Sequence, residues 1–311
     1  MYTPPLLLLL LTACHACRPQ LPSDNGGDNG GIDTALPDSG DTEETADTAP
    51  PLPNRCDQLE VEPNNALDVS KAFLMEKWLC GAFLDGGSGG DTEFLNFTTT
   101  QQGWVSVTLE AASRGSNADA QFLLYSDESA VIAYDYVDST DPRVVVPAAV
   151  VGTYGLVLGE TGYLSGEGYD WAVMASLVKP PVDWTFQETE DNDDVELANP
   201  FTLGETVYGI MSPTADKDWY RLAVPDGLEA VVFQVEAFGS GSPVDARIDL
   251  YDIDGELKKT CYSAVIDYDL DPYCEIKQTE ATEWTFKVTD EYDNGSAFSW
   301  YTLSVSGILA E

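Results

Sequence analysis

Trp104-Val105-Ser106-Val107-Thr108-Leu109 sets Val105, Val107 and Leu109 on one side of an extended chain and Ser106 and Thr108 on the other. A period of two is that of a strand with one buried face. The pattern returns in Ala230-Val231-Val232-Phe233-Gln234-Val235 and Trp284-Thr285-Phe286-Lys287-Val288, and less cleanly in Tyr154-Gly155-Leu156-Val157-Leu158. Turn signals separate such runs at intervals of about ten residues. Asp254-Gly255, between Ile248–Tyr251 and Leu257, is a two-residue hairpin signal. Short strands at this spacing predict an all-β chain built as sandwiches.

Working outward from these strands, the chain repeats itself. Glu60-Val61-Glu62-Pro63-Asn64-Asn65 returns 128 positions later as Glu188-Thr189-Glu190-Asp191-Asn192-Asp193, and Phe73 and Gly81 match Phe201 and Gly209 at the same offset. Asp91-Thr92-Glu93-Phe94-Leu95 matches Asp216-Lys217-Asp218-Trp219-Tyr220, and Glu110-Ala111 matches Glu236-Ala237. Asp119–Tyr125 matches Asp245–Tyr251. A repeat of this length is a copied domain rather than a solenoid unit. The predicted division is a β-sandwich over 56–178, a linker at 179–183 containing Lys179-Pro180-Pro181, and a second sandwich over 184–311.

The repeated opening motif carries chemistry as well as ancestry. Its first, third and fifth side chains share one face of an extended segment, about 6–7 Å apart. Two carboxylates and an amide oxygen in that arrangement suit a hard, oxygen-seeking cation such as calcium. Asp267, Asp269 and Asp271 form another acidic alternation, which lacks the glycine and distal glutamate of an EF-hand loop and reads as a solvated hairpin tip.

The 311 residues carry 14 Lys plus Arg against 54 Asp plus Glu, a formal charge of −40, which repels nucleic acid and attracts cations. The single histidine, His15, lies outside both sandwiches, so neither can build a Ser-His-Asp triad, a Cys-His pair or a histidine-ligated zinc site. Chemistry that needs only carboxylates stays open.

Six leucines at 6–11 form an apolar run far shorter than the roughly 20 residues that span a bilayer. The run reads as the core of a secretory signal over 1–13. Leu11-Thr12-Ala13-Cys14 resembles the bacterial lipobox, which would make Cys14 the lipidated first residue of the mature chain. The resemblance implies an outer-membrane lipoprotein, since His15 rather than Asp follows the cysteine. An ordinary signal peptide with an incidental cysteine is the alternative. Residues 14–55 then form a disordered acidic tether with almost nothing apolar to bury. Export permits disulfides, and two cysteines in each half suggest Cys56–Cys80 and Cys261–Cys274, leaving Cys17 free or intermolecular. The second pair is expected to face across adjacent strands of a hairpin.

The order of motifs resembles the bacterial pre-peptidase C-terminal domains, to which the collagen-binding domains of clostridial collagenases are similar. Members open with Glu-x-Glu-x-Asn-Asp/Asn and continue through an Asp-x-Asp-aromatic segment and a Leu/Ile-x-Leu-Tyr strand. A Gly-Thr-Tyr strand and a Tyr-x-Leu close follow, matched here by Gly152-Thr153-Tyr154 and Tyr301-Thr302-Leu303. The resemblance covers about 57–178 and 184–308. It implies two tandem jelly-roll-like β-sandwiches with one calcium each. The implied ligands are Glu188, Glu190, Asn192, Asp193 and Asp218 in the second, with Asp216 nearby. In the first they are Glu60, Glu62, Asn64, Asn65 and Glu93, with Asp91 nearby. Asn65 stands where the second copy keeps Asp193, which makes the second copy the stronger calcium candidate.

The reading is a non-enzymatic, envelope-anchored binder of a protein or glycan, touching the membrane through its lipid only. A structural envelope protein without a ligand and a carboxylate-only hydrolase are the alternatives.

Overall fold

A computed structural model describes residues 56–84, 91–126, 130–133, 141–148, 151–262, 271–277 and 282–310. The leader, Cys14, Cys17, the tether, the loop Asp85–Gly90, Asp267 and Asp269 lie outside these residues.

The chain is all-β, and among the described residues the only helices are three-residue 3-10 turns. No helix among them is long and apolar enough to cross a membrane. The first half contributes β1 (Gln58–Leu59), β2 (Lys71–Ala72), β3 (Leu79–Ala82), β4 (Thr92–Thr98), β5 (Gly103–Glu110), β6 (Ala120–Tyr125), β7 (Ala130–Ala133), β8 (Arg143–Ala148), β9 (Thr153–Glu160) and β10 (Asp170–Val178). The second contributes β11 (Phe186–Gln187), β12 (Asn199–Phe201), β13 (Thr206–Ile210), β14 (Asp218–Val224), β15 (Leu228–Glu236), β16 (Ala246–Tyr251), β17 (Leu257–Cys261), β18 (Tyr273–Lys277), β19 (Thr282–Asp290) and β20 (Trp300–Leu309).

Each half pairs two five-stranded sheets: β1-β3-β10-β5-β8 over β2-β4-β9-β6-β7, then β11-β13-β20-β15-β18 over β12-β14-β19-β16-β17. Adding ten to each strand number of the first half reproduces the second, so the duplication read from sequence extends to topology. The first strand of every sheet runs parallel to its neighbour and the other pairings are antiparallel. Alternation decides which side chains enter the cores between the sheets: Val105, Val107 and Leu109 enter one, Val231, Phe233 and Val235 the other.

Two expectations need correction. The residues linking β16 to β17 are a five-residue loop, not a two-residue turn, because Asp252 accepts from the backbone of Asp254 (3.0 Å) and Glu256 (2.9 Å) and closes a wider turn around Gly255 at φ 77°. Cys261 and Cys274 are bonded as predicted, but β17 and β18 belong to opposite sheets. That disulfide therefore clasps the edge of the second sandwich across its two layers instead of bridging a hairpin. Cys56–Cys80 also forms, tying the entry of β1 to its partner β3.

The sandwiches are not beads on a linker; the described residues belong to one compact unit. Trp104, Val145, Tyr208 and Trp300 form a buried cluster between them, flanked by Val178, Val182, Trp184 and Ile210. Trp300 meets Trp104 edge-on at 4.9 Å and donates its indole N–H to the Val145 carbonyl at 2.6 Å. The Val145 amide donates to the Gly241 carbonyl at 2.7 Å. Phe298, from the second half, is buried in the core of the first.

Candidate metal centres

The opening motif of each sandwich runs off its first strand and crosses the end of the second sheet. In the first, the Glu60 amide donates to the Cys80 carbonyl (2.9 Å) and the Asn64 carbonyl accepts from Phe94 N (3.0 Å), so the motif bridges β3 and β4. In the second, Glu188 N to Tyr208 O (3.0 Å) and Trp219 N to Asn192 O (3.0 Å) repeat the arrangement. Asn199 adds a device that the repeat did not reveal: its amide brackets the backbone of Thr189 with two 2.9 Å hydrogen bonds.

Folding back in this way brings Glu60, Glu62 and Glu93 together, with one oxygen from each within 4.8 Å of the others, and does the same for Glu188, Glu190 and Asp218. Three ionised carboxylates at that spacing repel by about 3 kcal/mol per pair at an effective dielectric of 20.

In the first cluster Glu93 and Asn64 are fully buried. Neither Glu93 oxygen meets a hydrogen-bond donor, and Asn64 Oδ1 is equally bare because its Nδ2 is committed to Glu60 Oε1 at 2.7 Å. Burial, followed by the nearby Glu60, Asp91 and Glu62, pushes the Glu93 carboxyl up to about 11. Buried acceptors without donors are rare in folded proteins and costly. A calcium ion would supply the missing positive charge, and this oxygen-only donor set fits it.

The second cluster solves part of the same problem with protein donors. Tyr220 OH donates to Glu188 Oε2 at 2.9 Å, Tyr301 OH donates to Asp218 Oδ2 at 2.8 Å, and Glu188 Oε1 accepts from Ile210 N at 2.6 Å. With its nitrogen turned to the acids, the Asn192 amide donates to Glu190 and Asp218 at 3.1 Å each; turned over, it presents an oxygen to a cation. Burial still dominates, raising Asp218 to about 10 and Glu190 to about 7, with neighbouring carboxylates adding to each. Leu95 and Trp171 occupy the positions of Tyr220 and Tyr301 in the first sandwich, so no hydroxyl reaches Glu93 there.

Asp91, Asp216, Asn65 and Asp193 stand one step behind these clusters. Asn65 Nδ2 donates to Asp91 Oδ1 at 2.7 Å, and Asp91 Oδ2 accepts from Leu84 N at 2.7 Å. In the second sandwich Asp216 accepts from Ser212 N (2.5 Å) and Lys217 N (2.8 Å), and it faces the Asp193 carboxyl where the first has an amide. Asp271, expected at a solvated tip, instead accepts from the backbone of Ala237, Phe238 and Gly239 at 2.8–3.0 Å. Asp141 does the same for Ala111 (2.5 Å) and Ser113 (2.9 Å) in the first half. The Asp-Pro dipeptides Asp141-Pro142 and Asp271-Pro272, shared by the two halves, are a sequence signal that the motif reading passed over.

The matched glycines are explained by close approach. A Cβ on Gly81 would lie 2.1 Å from Glu60 Oε2 and 2.3 Å from the Trp171 ring. Gly81→Ala is therefore expected to push Glu60 out of the first cluster, so that any cation this cluster holds would bind about tenfold or more weakly while the second cluster is unchanged. Calorimetric titration would check this, and two unaltered sites would contradict it.

No protein-family model and no curated protein matches the chain. Among solved structures, the pre-peptidase C-terminal domain of a Bacillus anthracis collagenase aligns with 35% of this chain and 94% of its own, at 14% identity and a TM-score of 0.29. Tandem CBM51 modules of a family 98 glycoside hydrolase from Streptococcus pneumoniae align with 76% of this chain and 85% of theirs, at 9% identity and a TM-score of 0.24. Both likenesses are distant in sequence and in superposition.

Proposed function

We propose that this chain is an envelope-anchored lipoprotein of the pre-peptidase C-terminal kind. Calcium staples each of its two sandwiches, and together they bind an extracellular protein or glycan without catalysis. The observation that carries the calcium reading is the buried Glu93 carboxylate, bare of donors, beside Glu60, Glu62 and the bare Asn64 oxygen. The ion would be held by Glu60, Glu62, Glu93 and Asn64 in the first sandwich and by Glu188, Glu190, Asp218 and Asn192 in the second. Its role is structural, fixing the opening segment to the sheets.

Burial of one acid in each cluster, Glu93 in the first and Asp218 in the second, supports the non-catalytic reading, because a carboxylate-only hydrolase needs its two acids within reach of substrate. The two disulfides suit an oxidising compartment outside the cytoplasm. Thermal melts in 1 mM calcium and in chelator test the proposal. Calcium at 100 times its Kd adds about 2.7 kcal/mol, a rise of roughly 5–10 °C for domains of this size. Glu190→Ala is expected to lose part of that rise. Equal melting temperatures with calcium and with chelator would sink the proposal.

A further inference from the structure

An acidic side chain occupies the same place on both sandwiches, yet among the described residues only the first copy is ion-paired. In the first, Glu110 ends β5 and Arg114 Nε donates to its Oε2 at 2.9 Å. The Arg114 guanidinium lies 4.8 Å from the centre of the Trp78 ring. Arg114 is the last residue of the 3-10 turn Ala112–Arg114, which Asp141 caps and Gly115 closes at φ 83°. In the second, Glu236 ends β15, and the turn Phe238–Ser240 is capped by Asp271 and closed by Gly241 at φ 94°. Ser240 therefore stands where the first copy has Arg114.

With serine in place of arginine, this part of the surface is an open depression of about 540 Å³ lined by Gln234, Glu236, Gly239, Ser240, Asp271 and Tyr273. Glu236 has no ion pair among the described residues. An aromatic ring is still present, on a different wall: Tyr273, 53% exposed, pairs with Gln234 where Arg143 pairs with Thr108 in the first copy.

We infer that this depression receives a cationic side chain, a guanidinium above all, from a partner protein. The inference rests on the non-enzymatic binding reading above and names the partner chemistry it would use. The first sandwich displays the occupied state within the same molecule: carboxylate, guanidinium and aromatic ring in contact. Arginine fits better than lysine because its planar fork pairs with a carboxylate and stacks on a ring at once. The chain's charge of −40 draws basic segments to its surface as a whole.

The test is a titration of the ¹⁵N-labelled protein with acetyl-Gly-Arg-Gly-amide and with its citrulline counterpart, followed by NMR. The arginine peptide is expected to shift the amides of Gly239, Ser240 and Tyr273 saturably, and the citrulline peptide to bind at least tenfold more weakly. Ser240→Arg rebuilds the pairing that the first sandwich already tolerates and is expected to abolish the shifts. Glu236→Gln is expected to weaken them at least tenfold. Absence of saturable shifts at these amides, equal binding of citrulline, or shifts that survive in Ser240→Arg would each overturn the inference. If maltotriose shifts these amides and the arginine peptide does not, the cationic occupant is wrong while non-enzymatic binding stands. The calcium part of that reading fails separately, by the melting test.

Discussion

In calcium-free buffer Glu93→Gln is expected to melt at a higher temperature than the unaltered protein, although it alters a residue of the proposed metal centre. With its pKa at about 11 the buried Glu93 carboxyl is protonated in the cation-free state, yet its oxygens find no donor, and leaving such acceptors unsatisfied costs about 1–3 kcal/mol. An amide of the same shape has two N–H donors where the protonated carboxyl has one, and can donate to both Glu60 and Asn64 Oδ1. The gain corresponds to roughly 2–10 °C. In calcium the order should reverse, since the variant loses a ligand. A variant less stable than the parent under both conditions would contradict this account.

The same groups fix the sign of the pH dependence. Glu93, Asp218 and Glu190 are held at about 11, 10 and 7, whereas unfolded carboxyls titrate near pH 4. The folded, cation-free protein therefore binds more protons than the unfolded chain above about pH 4. Its stability is greatest in mild acid and is lost as pH rises toward those values. Calcium displaces the protons, so its affinity should increase with pH over the same window.

Trp300→Ala is expected to divide one thermal transition into two. Trp300 is buried between the sandwiches, against Trp104 and the Val145 carbonyl, and truncating a buried tryptophan costs about 3–5 kcal/mol. Most of that loss falls on the contact that joins the two halves, so their unfolding should separate, the first event falling by roughly 8–15 °C. A single transition shifted by less than about 2 °C would show that Trp300 contributes little to the coupling and would contradict this account. Differential scanning calorimetry distinguishes the outcomes.

The strands were legible because short runs with a period of two recur between turn signals, and the duplication because whole motifs return in order. Six of the acids proved legible as two clusters, since a repeated motif and its Asp-x-Asp/Glu partner must meet when the opening segment folds back. What surrounds those acids was not legible. Tyr220 and Tyr301 come from strands of opposite sheets, and only three-dimensional packing places their hydroxyls on Glu188 and Asp218. For that reason the sequence ranked the second site higher on Asp193 alone, while the bare buried oxygens lie in the first. The disulfide clasp was misread geometrically because spacing of 13 residues is equally compatible with a hairpin and with a crossing between sheets. The tryptophans of the domain contact gave no periodic signal, because an interface draws one residue from each of several strands.

Isothermal titration of the protein with calcium, beside Glu93→Gln, tests the central claim most directly. The account predicts two calcium ions bound by the unaltered chain and one by the variant. Absence of calcium binding by the unaltered chain, or the same stoichiometry and affinity in both proteins, would contradict it.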